Sequence, residues 1–207
     1  DIDLVILTFN EVDGLNYFLP KLQSIIQESK IKNCFAVDGG STDGSLALYE
    51  KFNIPFYVQQ RKGRGAAFQE AFEKSSAQAI VFFSPDGNEN INDIICFKSL
   101  LEEGYNLVIA SRMMKDARNE EDDELLRWRK WANQSFTWIA NVIWNRSGRY
   151  VTDSINGFRG IRKESWQALK VTSNDYTIEY QSTIRAFKLG LKIKEKNRPG
   201  KKHTILL

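Results

Sequence analysis

Two aspartates in the 207-residue chain each follow an apolar run and open a glycine turn: Asp38 at the end of CFAVD before Gly39 and Gly40, and Asp86 in VFFSPDGN. A plain turn accounts for part of the second, since Pro85 presets φ, Asp86 can bond its own backbone and Gly87 accepts positive φ. Helix capping accounts for Asp43, and the glycines at 39, 40 and 44 let backbone approach a ligand. It does not readily account for acids closing two apolar runs. Other polar groups stand at comparable places: Thr8, Asn10 and Glu11 after LVIL, and Ser111 and Arg112 after LVIA. The segment RKGRGAA, with Lys62, Gly63 and Gly65, is basic, rich in glycine and opens a helix, a combination that suits a phosphate.

The elements that must position these residues follow from periodicity. Continuous apolar runs at 4–8, 34–38, 56–58, 79–83 and 107–110 read as buried strands, and helical patterns lie near 14–29, 43–53, 64–76 and 90–103. The succession is βαβ, so the expected fold class is α/β with a mostly parallel central sheet and helices on both faces. Ligands on such sheets bind beyond the carboxyl ends of the strands, which brings the polar residues above to one rim. The second half changes character: a long helix over 124–146 carries Trp128, Trp131, Trp138 and Trp144, a short strand lies at 157–161, and another helix spans 176–190. One domain is expected, in two halves over 1–112 and 113–207.

Bulk composition excludes several classes. With 29 basic against 26 acidic residues the net charge is +3, too small to argue for nucleic acid. Cys34 and Cys96 have no paired spacing and read as core thiols, and the single His203 leaves a histidine zinc site or a Ser-His-Asp triad without support. No apolar run reaches about 18 residues and no signal peptide is visible, so the expected location is cytoplasmic, with peripheral contact on the membrane face.

In order along the chain, LVILTFNE, VDGGSTDGS, KGRGAA, FFSPDGN, ASR, DSINGFR and the helix around Glu179 resemble a family 2 glycosyltransferase of the GT-A fold, close to the dolichyl-phosphate mannose or glucose synthase group. The resemblance implies a nucleotide-sugar donor held by Thr8, Asn10, Glu11, Asp38, Gly40, Lys62, Gly63 and Gly65, with Mg²⁺ or Mn²⁺ and the diphosphate near Asp86. Where the family has an Asp-x-Asp motif, this chain has Ser84-Pro85-Asp86, so one acid remains, with Ser84, Asn88 or Glu89 as helpers. Mg²⁺ commonly takes one or two carboxylates and fills its shell with phosphate and water. Gly39 likewise replaces the second acid of the usual Asp-Asp-Gly-Ser, and Glu179 becomes a brace near the donor sugar.

Transfer with inversion needs a nucleophile opposite the diphosphate. A hydroxyl acceptor requires a base, for which Asp153 is the candidate. A lipid monophosphate is already anionic and needs cations instead, which Arg112, Arg127, Arg129, Lys130 and Arg159 supply. The arginines beside an aromatic helix favour a polyprenyl phosphate, and the tryptophans on that helix suit a bilayer interface or a core stripe. Transfer to a saccharide hydroxyl, and a non-catalytic nucleotide-sugar binding module, are the competing readings.

Overall fold

The computed structural model describes residues 1–87, 89–111 and 127–197, apart from the side chains of 127–130 and 197. The strands are β1 (Ile2–Thr8), β2 (Asn33–Asp38), β3 (Phe56–Val58), β4 (Ala79–Phe83), β5 (Leu107–Ser111), β6 (Arg159–Arg162) and β7 (Ile193–Asn197). The helices are α1 (Val12–Ser29), α2 (Ser45–Lys51), α3 (Arg64–Lys74), α4 (Asp93–Glu102), α5 (Arg127–Trp144), α6 (Lys163–Leu169) and α7 (Ile178–Lys188).

The strands form one seven-stranded sheet in the order β3-β2-β1-β4-β6-β5-β7. Every pairing is parallel except those of β6, which runs antiparallel to both β4 and β5. Successive side chains of a strand point to opposite faces, so a continuous apolar run feeds two cores at once. In β1, Leu4 and Ile6 join Val81, Phe83, Val108 and Ala110 beneath α1 and α4, whose Phe18, Leu22, Ile94 and Phe97 cover that face. Val5 and Leu7 join Phe35, Ile80, Phe82 and Ile109 on the other face, beneath Phe68 and Phe72 of α3, Trp166 of α6 and Phe187 of α7.

The expected strands and first four helices are present, with ends shifted by a residue or a few. Two elements were not anticipated, the seven-residue α6 and the edge strand β7. More consequential is the place of β6. It belongs to the second half of the chain yet sits between β4 and β5 of the first half, so the two expected halves share one hydrogen-bonded ladder. Because β6 runs against its neighbours, the residues that lead into it, 153–158, arrive at the same edge as the carboxyl ends of β4 and β5. Cys34 and Cys96 are free and half-buried; Cys34 packs against the core, and burial pushes its thiol up to about 12.

Candidate active site

Thr8 and Asp38 are register partners at the ends of β1 and β2. Their side chains turn inward and not toward a ligand. The Asp38 carboxylate accepts from Thr8 Oγ1 (2.9 Å), the Gly40 N–H (2.8 Å), and the Ser41 N–H and hydroxyl (2.6 and 2.8 Å), and Thr8 Oγ1 also meets the Tyr49 hydroxyl. A buried carboxylate must find donors of this kind or be destabilised. The donor contacts expected of Thr8 and Asp38 are therefore corrected: Asp38 has no exposed surface, and the pair shapes the 39–42 turn from below.

What this knot presents outward is a small platform. Phe9, 62% exposed, lies over Gly39, where a Cβ would come within 3.0 Å of its ring. The acid that Gly39 replaces would press on that ring. Asn10 takes a left-handed conformation, its N–H donating to Ser41 Oγ and its Oδ1 accepting from the Thr42 N–H, so the two loops are stitched together. Gly40, at φ +92, has open space around it. Asp43 ties in the start of α1 by accepting from the Val12 N–H, and also holds Ser45.

Asp86 is exposed beyond β4, on a turn clamped from two sides. Glu89, itself buried, accepts from the Ser84 N–H (2.8 Å), and Gly14 of α1 comes so close to the Pro85 carbonyl that a Cβ there would overlap it. Glu89 thus holds the turn, and Asn88 lies outside the described residues. The Glu11 carboxyl is raised above its ordinary range, by burial first and then by the charges of Asp86 and Asp43. That surplus of negative charge fits a divalent cation. Among the described residues no three acids, histidines or cysteines are grouped to hold an ion by themselves, so an ion at Asp86 would complete its shell with phosphate and water.

The shift of Glu11 gives a pH test. Between the ordinary and the raised value the folded chain binds more protons than the unfolded chain, so this group's contribution to stability falls as pH rises through that window. A cation beside Asp86 favours the ionised form and expels the proton. Mg²⁺ should therefore raise the melting temperature more at neutral than at mildly acidic pH, and Glu11→Gln should shrink that difference. Equal Mg²⁺ shifts at both pH values in the parent chain would refute the coupling.

The 61–65 segment departs from expectation. The N–H groups of Gly65 and Ala66, at the start of α3, already donate to the Asn174 carbonyl (3.1 and 3.4 Å). A Cβ on Gly63 or Gly65 would overlap the Asn174 or Ser173 carbonyl. These glycines therefore admit the 173–175 loop, and the Gly65 and Ala66 N–H groups expected at a phosphate are engaged by it. Arg61 pairs with Glu70 and Glu73, and Lys62 stays exposed.

Arg64, which residue patterns did not single out, is the cation that turns inward. Its Nε donates to Glu179 Oε1, and although burial works against its charge, Glu179, then Glu89 and Asp86, hold its pKa above the ordinary value. Gly157 makes the room: a Cβ there would overlap Arg64 Nη2 and lie 3.1 Å from Glu179 Oε1. Glu179 is thus a buried partner of Arg64, tying α7 to the start of α3.

The 153–159 segment holds the remaining candidates. Glu195 on β7 accepts from the Thr152 and Asp153 N–H groups at 2.8 Å, fixing the backbone there. Burial, and after the opposing hydrogen bonds the Asp153 charge, raise the Glu195 carboxyl. Asp153 has no exposed surface, so the open general base expected at this position is not what the structure shows. Arg159 is also fully buried, and donates to the Asn156 and Glu179 carbonyls and to the Ser182 and Thr183 hydroxyls. Burial lowers its pKa to about 10 against the opposing charges of Glu179 and Asp153. The acceptor contact expected of Arg159 is corrected accordingly: the guanidinium braces the loop to α7. Arg112 lies outside the described residues, as do the side chains of Arg127, Arg129 and Lys130, whose backbone belongs to α5.

The rim therefore exposes Phe9, Asn10, Gly39, Gly40, Lys62 and Asp86, with Glu11 and Arg64 half-covered beside them. A family model described as Glycosyl transferase family 2 matches residues 3–169. The chain belongs to glycosyl transferase family 2. Glycosyltransferase AglJ of Haloferax volcanii is 28% identical over 191 residues, covering 89% of this chain and 58% of that protein. The chain thus spans little more than half the length of that relative. A dolichyl-phosphate hexose transferase of the same organism is 24% identical over 174 residues, covering 84% of this chain and 72% of the relative. Among solved structures, glucosyl-3-phosphoglycerate synthase from Mycobacterium tuberculosis, in complex with Mn²⁺, UDP and glucosyl-3-phosphoglycerate, superposes with a TM-score of 0.74 at 17% identity, over 96% of this chain and 70% of that one. Mannosyl-3-phosphoglycerate synthase from Rubrobacter xylanophilus gives 0.75 at 14% identity, over 99% and 68%. This family 2 chain has the GT-A fold of those neighbours.

Proposed function

We propose that the chain carries out inverting transfer of a hexose from a nucleotide sugar to a polyprenyl phosphate. The exposed Phe9 over Gly39 offers the donor's base a stacking surface, and Lys62 with the half-covered Arg64 supplies positive charge for its diphosphate. Asp86, with Glu11 beside it, would hold Mg²⁺ or Mn²⁺. Such an ion neutralises charge that builds on the departing nucleoside diphosphate. The acceptor's phosphate oxygen forms the new bond to the anomeric carbon as the bond from that carbon to the diphosphate breaks, and the nucleoside diphosphate leaves with the electron pair.

The observation that carries the choice of acceptor is the burial of Asp153. A sugar hydroxyl must lose a proton to a base within reach, and the one carboxylate expected for that task is sealed beside Arg159. A phosphate monoester, with its second pKa near 6, reacts without one. A curated relative bearing the words dolichyl-phosphate hexose transferase supports the same acceptor class. Among the described residues no helix is long and apolar enough to cross a membrane.

The test uses labelled UDP-, GDP- and dTDP-hexoses with Mn²⁺, and as acceptors a detergent-dispersed polyprenyl monophosphate or an oligosaccharide. Transfer to the lipid phosphate is expected, and Asp153→Asn, assayed well below its melting temperature, should keep turnover within about tenfold, whereas loss of a working base costs about 10²–10⁴. Transfer to the oligosaccharide alone, abolished by Asp153→Asn, would reverse the assignment. Donor binding without transfer or hydrolysis would leave a binding module.

A further inference from the structure

A cleft of about 530 Å³ opens between α5 and residues 150–152, walled by Trp131, Ser135, Trp138 and Ile139 on one side and by Tyr150 and Thr152 on the other. Its volume suits a ligand site of about 300–1,000 Å³. The helix wall is unusual. From Trp131 to Asn145 the sequence has no Asp, Glu, Lys or Arg, yet Trp131 is 71% and Trp138 57% exposed, and Val142 and Ile143 are exposed beyond them. Trp131, Ser135, Trp138 and Val142 recur at three- and four-residue spacing, so they share one face. A contiguous apolar surface of this kind marks a binding site.

Where the cleft ends decides what it holds. Thr152 closes it, its Oγ1 lies 2.6 Å from the Ser111 hydroxyl at the carboxyl end of β5, and the next residue is Asp153. One end of an uncharged cleft therefore abuts the rim where transfer takes place. Cations bracket the uncharged run in sequence, Arg127, Arg129 and Lys130 before it and Arg146 and Arg149 after it. An uncharged trough whose helix is flanked in sequence by cations complements an amphiphile that has an anionic head and a hydrocarbon chain. We propose that this cleft binds the isoprenoid units nearest the phosphate of the acceptor, a proposal that rests on the polyprenyl phosphate reading above.

Equilibrium binding of geranylgeranyl monophosphate, geranylgeraniol and methyl phosphate, in one non-ionic detergent, tests it. The parent chain should bind geranylgeranyl phosphate at least about 30-fold more tightly than methyl phosphate, because each buried methylene adds to affinity. Ser135→Trp, which fills the trough, and Ile139→Asp, which charges its wall, should each bring that ratio to within about threefold of unity without moving the melting temperature or methyl phosphate binding. A chain-length preference that survives both substitutions in normally folded variants would overturn the cleft assignment while leaving the acceptor reading intact. Geranylgeraniol bound as tightly as its phosphate, and lost in the same variants, would uphold the cleft and sink the phosphate acceptor. No isoprenoid binding by the parent would overturn the assignment, as would a dimer that Ile139→Asp dissolves, since the face would then belong to a second copy.

Discussion

Gly157→Ala should lower turnover by about 10²-fold or more, although glycine 157 offers no side chain to any ligand. Its φ is not in the left-handed region, so its backbone would accept another residue. Space forbids it, because a Cβ would overlap Arg64 Nη2. The substitution therefore moves a guanidinium without removing it. Separating Arg64 from Glu179, which is 3% exposed, leaves a buried carboxylate without its ion pair, a loss of about 3–5 kcal/mol if the pair parts fully. Two effects are expected together, a lower melting temperature and a weaker hold on the donor diphosphate. Adding Arg64→Met and Glu179→Gln to Gly157→Ala should recover stability without recovering turnover, since replacing a whole buried pair by uncharged groups is often neutral. A variant with parental melting temperature and parental turnover would show that the pair does not matter.

Asp86→Asn should cost about 10²–10³ in turnover, the scale of losing one charge-stabilising group at a transferring centre. Where the family motif has a pair of acids, this chain keeps one, so no neighbour in the motif can substitute for it. Glu89 is committed to the Ser84 N–H, and Glu11, raised by burial and then by its acidic neighbours, would lose a competing charge and ionise more readily. Stability should change little, because Asp86 is exposed. Titrating turnover and binding of the donor's nucleoside diphosphate with Mn²⁺ checks the point: the variant should lose the dependence of that affinity on the ion. Unchanged ion dependence would move the cation site elsewhere.

The strands of the sheet could be read because parallel strands buried on both faces leave uninterrupted apolar runs, and the rim followed from where those runs stop. β7 could not be read this way. Its IKEKN reads as a solvated charged stretch, and only Ile193 enters the core, while Glu195 is spent on the Asp153 backbone. The site was recovered unevenly for a related reason. A carboxylate or guanidinium looks the same in sequence whether it meets a substrate or a carbonyl across the fold. Asp38 and Arg159 are internal fasteners, while Phe9 was not singled out and Arg64 was read only as part of a basic segment. Phe9 carried a signal, an aromatic placed just past an apolar strand and before a polar turn. Arg64 stood inside the basic RKGRGAA segment, but its pairing could not be read there, because it depends on the missing Cβ of Gly157 and on Glu179, more than a hundred positions away along the chain.

The reversed strand β6 also limits how this fold could close around a ligand. Domain closure can proceed by swinging one lobe against another about a hinge, but here the strand ahead of α6 is laced on both sides, into β4, beyond which Asp86 lies, and into β5, which ends at Ser111. Opening such a hinge would mean tearing backbone ladders on either side of Gly160. Any gating must fall to the loops that crown the sheet, and amide exchange along β4, β6 and β5 should proceed only when the entire molecule unfolds.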